Sequence, residues 1–150
     1  MYPGNPGAWR KLSGPGVAGA FHAVTPGRVY DSRVANPSPG ILDNNQRRTI
    51  SVASRRELVN GDVVESDFVP AGATAVACNV GVVDTQRSGF LTINPGGINE
   101  INSASINWSA SGQILNNGVM LTLNVDRELT VICGGGGATN FVLDITGYFR

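Results

Sequence analysis

The acidic and basic side chains of the segment P-G-R-V-Y-D-S-R, residues 26–33, are the first candidates for chemistry in this chain. Because side chains alternate across a strand, Asp31 and Arg33 would share one face with Val29. A carboxylate among apolar neighbours needs a partner, so we predict a structural ion pair of Asp31 and Arg33 that also includes Asp144. Catalysis by Asp31 would require a nearby nucleophile or base, and the sequence offers no such constellation.

Three other features resemble known sites but lack an essential part. The single histidine, His22, and two cysteines are too few for a typical zinc site. The glycines of residues 134–137 are followed by a strand pattern, whereas a phosphate-binding loop precedes a helix. The Asp-Asn-Asn run at 43–45 has too few oxygen ligands for calcium and is typical of an Asx turn. We therefore predict a protein that is not an enzyme and holds no cofactor and no metal.

Two arginine pairs, Arg47-Arg48 and Arg55-Arg56, bring four cations close together in the sequence. They could bind an acidic protein surface, a phosphate or an acidic glycan. The alternative is a solvated face whose charge is offset by neighbouring carboxylates such as Glu57.

Length and charge limit the classes of function. A chain of 150 residues suits one domain, which buries roughly 68–70% of its unfolded surface. Eleven basic and eleven acidic residues cancel, which argues against nucleic acid and against an anionic membrane surface as partners. No apolar run approaches the ~18 residues of a membrane span, and the segment Met1–Pro15 lacks the apolar core of a signal peptide.

The stretch 73–95 contains two apolar runs joined by the polar bridge Asp84–Ser88. Larger and smaller side chains alternate in the first run, which predicts a strand with one buried face. The larger set is Val76, Cys78, Val80 and Val82. The second run restarts the alternation after Gly89, so we predict an antiparallel hairpin with a longer loop.

Short alternating segments of the same kind fill residues 21–149. They predict strands within 21–33, 48–53, 104–108, 119–125, 129–133 and 139–149, with turns at Pro26-Gly27 and at 116–118. No helical period is longer than one turn. The sequence therefore predicts an all-β protein, an antiparallel β-sandwich or jelly roll over residues 21–150, in which Cys78 and Cys133 are buried reduced thiols.

Residues 1–20 form a separate Gly/Pro-rich segment, which cannot adopt a helix or a regular strand. We predict an extended arm in which Tyr2, Trp9 and Leu12 contact a neighbouring subunit. This hypothesis makes the protein a homo-oligomer, with a trimer as the expected form.

Five segments follow one another in an order that resembles a known family. They are P-G-R-V-Y-D-S-R (26–33), P-A-G-A-T-A-V-A-C-N-V (70–80), S-G-F-L-T-I-N-P (88–95), S-A-S-I-N-W (103–108) and V-L-D-I-T-G-Y-F (142–149). Together they resemble an uncharacterised all-β domain that occurs, often in tandem, in secreted and cell-wall proteins of actinobacteria. The resemblance covers about residues 21–149, with Ser32 where threonine is usual. It implies a non-catalytic module of surface proteins and carries over no ligand.

These observations predict a structural subunit of a larger assembly, such as a head-decoration or tail protein of a virion. Its partners would be copies of itself and other structural proteins, with neither nucleic acid nor membrane insertion, and its location a virion or another extracellular assembly. The alternative is a module that binds a carbohydrate or a cell surface through a glycan-binding face.

Overall fold

The computed structural model describes residues 19–150, so the predicted contacts of Tyr2, Trp9 and Leu12 lie outside the described residues. Ten strands and no helix occur in this part of the chain. The strands are β1 (Phe21–Asp31), β2 (Arg47–Ser51), β3 (Arg55–Arg56), β4 (Val63–Glu65), β5 (Ala75–Gln86), β6 (Gly89–Pro95), β7 (Ile106–Trp108), β8 (Leu115–Thr122), β9 (Glu128–Gly134) and β10 (Ala138–Phe149).

Eight of these strands form two four-stranded sheets, and β3 and β4 form a small ribbon. The first sheet has the order β1-β10-β5-β8, and the second has the order β2-β9-β6-β7. Every strand pair is antiparallel. The predicted all-β fold with antiparallel, sandwich-like sheets is confirmed.

The core lies between the sheets and follows the predicted alternation. Every member of the larger set in β5 is buried, and so are the inward residues of β9 and β10. Those residues are Leu129, Val131 and Cys133 of β9, and Phe141, Leu143 and Ile145 of β10, each with no exposed surface. Full burial of one such aliphatic or aromatic side chain contributes about 1.5–3 kcal/mol to the stability of the domain.

The predicted hairpin over 73–95 is wrong, because its two strands belong to different sheets. β5 pairs with β10 and β8, while β6 pairs with β9 and β7. The chain turns at Arg87, which has a φ of 55°, and crosses from one layer to the other. An arch of this kind and a hairpin both require two alternating runs and a polar turn. The two differ only in their backbone hydrogen bonds: the strands of a hairpin bond to each other, whereas the strands of an arch bond to two different sheets.

Both predicted Gly-containing turns are also wrong, since each lies inside a strand. Pro26 and Gly27 fall within β1, where the register against β10 shifts between Ala23 and Gly27. Asn116, Asn117 and Gly118 pair with consecutive residues of β5 without any shift. A β-bulge absorbs extra residues without reversing the chain, and pairing with a central strand overrides the turn preference of Asn-Gly.

The strand predicted over 119–125 ends earlier than its pattern indicated. Leu121 and Leu123 are buried as expected, but Val125 is 94% exposed. A tight turn explains the difference, because Asn124 accepts backbone hydrogen bonds at its side-chain oxygen from Asp126 and Glu128. Val125 lies at this turn, outside the sheet.

Candidate functional site

Asp31 is the centre of the only predicted ion cluster, and its side chain is just 3% exposed. Arg33 donates to it from the backbone nitrogen at 2.9 Å, from Nε at 2.9 Å and from Nη2 at 2.8 Å. Burial raises the pKa of Asp31, but the hydrogen bonds from Arg33 and the charge of Arg28 outweigh burial and leave the pKa below its usual value. The carboxylate is therefore ionised at neutral pH.

Asp144 joins this cluster through Arg28, a residue that the sequence analysis did not single out. Arg28 donates to Asp144 from Nε at 2.9 Å and from Nη2 at 3.2 Å, and to Asp31 from Nη1 at 3.2 Å. A register shift in β1 between Arg28 and Tyr30 makes this contact, because it places Arg28 and Asp31 on the same face. Strict alternation would separate residues three apart.

The same shift corrects the predicted environment of Asp31. Val29 belongs to the core, whereas Asp31 is paired with Val142. Since the neighbouring Leu143 points into the core, Val142 points to the outer face of the first sheet. The ion cluster therefore lies on that outer face.

The charged groups of this cluster are paired with one another. The hydroxyl of Ser32, the residue after Asp31, donates to Asn140 Oδ1 at 2.9 Å and accepts from the backbone nitrogen of Phe141 at 3.0 Å. Both interactions hold the end of β1 against β10. Within residues 19–150, no group of three or more His, Cys, Asp and Glu side chains could hold a metal ion.

The two arginine pairs do not form one basic surface. Arg48 donates from Nη1 to the Tyr30 hydroxyl at 2.6 Å, and Arg56 donates to the carbonyl of Gly61 at 2.8 Å. Arg55 donates from Nε to Glu65 Oε2 at 2.9 Å across the β3–β4 ribbon. Three of these four arginines thus have hydrogen-bond partners within the protein. This agrees better with the alternative reading, a solvated face whose charge is offset by neighbouring groups, than with a binding surface.

A cleft of about 600 Å³ opens at one end of the sandwich. Its walls come from the start of β1, the β3–β4 ribbon, the segment after β4 and the end of β10. The lining residues are Val24, Thr25, Pro26, Arg55, Glu65, Asp67, Phe68, Pro70, Tyr148 and Arg150.

The four edge strands of the two four-stranded sheets differ in how they are protected from pairing with other strands. β1 contains a proline, an arginine and two register shifts, and β2 carries Arg47 and Arg48. β7 has three residues only. Charges, prolines, bulges and short length are the devices by which proteins prevent pairing at an edge.

β8 has none of these devices. It is eight residues long, L-N-N-G-V-M-L-T, with no charge, no proline and an unbroken register against β5. Met120 is 73% exposed and Ile114, just before the strand, is 66% exposed. Among the edge strands of the two four-stranded sheets that the structure describes, β8 is therefore the only long one without charge, proline or register shift.

Cys78 and Cys133 are free and buried, which confirms the prediction of reduced core thiols. Burial raises the pKa of Cys78 to about 12 and that of Cys133 to about 11. Thiolates are the reactive form, so neither side chain is suited to nucleophilic chemistry at neutral pH.

No family model matches the chain. No curated protein matches it either.

In the part of the chain that the structure covers, no helix has the length and apolar character needed to cross a membrane.

Proposed function

We propose that this protein is a non-catalytic structural subunit of a larger assembly, such as a head-decoration or tail protein of a virion. The observation that carries the proposal is the unprotected edge strand β8. Subunits of this kind assemble with copies of themselves and with other structural proteins, and an open sheet edge is a suitable contact for that purpose.

The comparison of the four edges supports a functional origin for the open one. An uncharged strand of eight residues would make the free protein prone to aggregation, and the same chain protects its other edges. A partner strand would satisfy the outward backbone groups of β8 and cover Met120. Full burial of a methionine side chain is worth about 1.5–3 kcal/mol, and contact with one partner strand would gain part of this free energy.

The proposed partner strand is β8 of a second copy, running antiparallel across a two-fold axis. Pairing centred on Val119 would set Met120 of each copy opposite Gly118 of the other. No atom lies within 4 Å of the position where a side chain at Gly118 would begin, so this site has room for a methionine. A two-fold contact is self-complementary, and the repeating unit is therefore a dimer. The trimer is predicted from contacts of the N-terminal arm, whose residues 1–18 lie outside the part of the chain that the structure describes.

The test is the mass of the full chain in solution, by light scattering coupled to gel filtration, for the unmodified protein and for Met120→Lys. We expect twice the chain mass of 15.6 kDa for the unmodified protein and the single-chain mass for the variant. Val125→Lys is the matched control, because Val125 is 94% exposed but lies outside β8, and it should leave the dimer intact.

Two results would contradict the proposal. One is a protein that is monomeric at every concentration at which it stays soluble. The other is an oligomer whose mass is the same with and without Met120→Lys, since such an oligomer would use another surface.

A second candidate is a module that binds a carbohydrate or a cell surface. The cleft favours it, because this concave, mixed polar and apolar site lies beside β1, at the opposite edge of the first sheet from β8. Strand pairing at β8 would leave the cleft open, so the two functions are compatible.

A further inference from the structure

We infer that the cleft at the end of the sandwich is a binding site for a neutral saccharide. The inference rests on the second candidate function and is independent of the pairing of β8. Three observations support it. An aromatic ring in the cleft packs against a second ring, the rim of the cleft has both hydrogen-bond donors and acceptors, and the charges of the lining residues balance.

Tyr148 supplies the aromatic surface of the cleft. Within the first sheet it pairs with Val76 of β5 and with His22 of β1, so the three side chains lie on the same face of that sheet as the core residue Val76. His22 stacks on the ring of Tyr148, with centroids 5.0 Å apart and planes inclined by 22°. His22 thus packs against the ring, and Tyr148 also lines the cleft. The apolar C–H face of a sugar ring fits against such a surface.

The rim presents hydrogen-bond donors and acceptors side by side. Arg55 uses Nε for Glu65, and among the described residues its two Nη groups make no hydrogen bond, nor does Oε1 of Glu65. Asp67 accepts from Arg127 Nη1 at 2.7 Å through Oδ1, which leaves Oδ2. Arg150 adds a further guanidinium. Sugar hydroxyls both donate and accept, so they match a mixed rim of this kind.

Charge balance favours a neutral ligand over an ionic one. An anion in the cleft would meet the carboxylates of Glu65 and Asp67, and a cation would meet Arg55 and Arg150. A neutral polyhydroxylated ligand can use each of these groups without placing like charges together.

The backbone holds this rim in a defined position. Gly27 lies under the wall of the cleft, and a β-carbon there would come within 2.5 Å of Arg55 Cδ and 2.7 Å of Phe68 Cζ. Both side chains therefore pack directly on the bare backbone of the β1 bulge. A site whose side chains are already ordered loses less entropy when a ligand binds.

The test is a nuclear magnetic resonance titration of the isotope-labelled full chain with cellohexaose, maltohexaose, mannohexaose and xylohexaose, and with polygalacturonate as the acidic probe. We expect at least one neutral hexasaccharide to shift amide signals around the cleft, and polygalacturonate to bind more weakly. If no neutral probe binds, or if polygalacturonate binds most tightly, the inference is overturned.

Variants then locate the site. Arg55→Ala and Glu65→Ala should each weaken binding about tenfold or more, the effect of losing a hydrogen bond to a charged group. Arg87→Ala is the matched control, since Arg87 is 63% exposed and follows β5 at the opposite end of the sandwich, and it should bind normally. Saccharide binding that all three variants retain would keep the carbohydrate-binding function but refute the cleft as its site. The pairing of β8 is tested separately, by the mass of the protein in solution, so a failure of that proposal can be distinguished from a failure of saccharide binding.

Discussion

The hydroxyl of Tyr30 accepts a hydrogen bond of 2.6 Å from Nη1 of Arg48, and this contact links the two sheets. Tyr30 lies in β1 and Arg48 in β2. The same hydroxyl donates to the carbonyl of Ser38 at 2.6 Å, and Arg48 donates to the carbonyl of Gly40 at 2.8 Å. Burial raises the pKa of Tyr30, and Arg48 opposes part of this rise. The phenol is therefore neutral at physiological pH and acts as a structural bridge.

Removing this hydroxyl should destabilise the domain. Tyr30→Phe keeps the ring that stacks on Phe141 at 4.7 Å but removes both hydrogen bonds of the hydroxyl. Arg48 then keeps only its bonds to the carbonyls of Ser38, at 3.3 Å, and Gly40, at 2.8 Å. We expect a loss of about 1.5–3 kcal/mol in the free energy of unfolding, the range for a hydrogen bond to a charged group. Urea denaturation followed by fluorescence measures the loss.

The matched control for this change is Tyr148→Phe. The Tyr148 hydroxyl makes no hydrogen bond to any described residue, so its removal should alter the free energy of unfolding by less than about 0.5 kcal/mol. Equal effects of the two substitutions would show that the link between Tyr30 and Arg48 contributes nothing to stability.

Asp31→Asn should lower the free energy of unfolding, because it disrupts the ion cluster on the outer face of the first sheet. Four hydrogen bonds from Arg28 and Arg33 end on this carboxylate. Because the Arg33 side chain is 42% exposed and can be hydrated, we expect a loss of about 1.5–3 kcal/mol rather than the 3–5 kcal/mol of a fully buried pair. Denaturant unfolding measures it. Asp126→Asn, an exposed aspartate at the turn after β8, should have no measurable effect.

The contribution of Asp31 should also depend on pH. Its pKa in the folded protein is lower than its usual value of 3.8, so the unfolded state takes up a proton first as the pH falls. The stabilisation is complete above the unfolded pKa and is lost as the pH falls through the folded pKa. The difference in unfolding free energy between the unmodified protein and Asp31→Asn should be constant near neutral pH and shrink below about pH 4. A difference that does not change with acid would contradict this account.

The two thiols should be inert in the folded protein. Because burial raises the pKa of both Cys78 and Cys133, iodoacetamide should modify neither at pH 8 without denaturant and both after unfolding. Mass spectrometry counts the modified sites. A reducing agent should leave the melting temperature unchanged, since neither cysteine forms a disulfide. A large drop on reduction would instead reveal a disulfide, which is typically worth about 2–4 kcal/mol.

Local sequence was sufficient wherever one strand alone decides the outcome. Alternation identified the buried faces of β5, β9 and β10, because the period of two follows from the geometry of a single extended chain. The burial of Cys78 and Cys133 follows from the same period. The absence of a helical period predicted the all-β fold for the same reason.

Partner choice between strands was not predictable in this way. The runs of β5 and β6 are adjacent in sequence yet lie in different sheets, since the turn at Arg87 fixes only that the chain changes direction. The Asn-Gly sequence at 117–118 favours a turn locally, but hydrogen bonds to β5 across the whole of β8 outweigh that preference.

The ion cluster, the cleft and the open edge all depend on tertiary structure for one physical reason. Each is made by residues far apart in the chain, whose contacts depend on register and strand order. A bulge in β1 brings Arg28 to Asp31 and Asp144, and the cleft joins the two ends of the described chain to the β3–β4 ribbon. Sequence by itself determined which residues are buried within each strand. The three-dimensional packing of those strands decided which residues meet, because the energies of pairing and burial act across the whole sandwich.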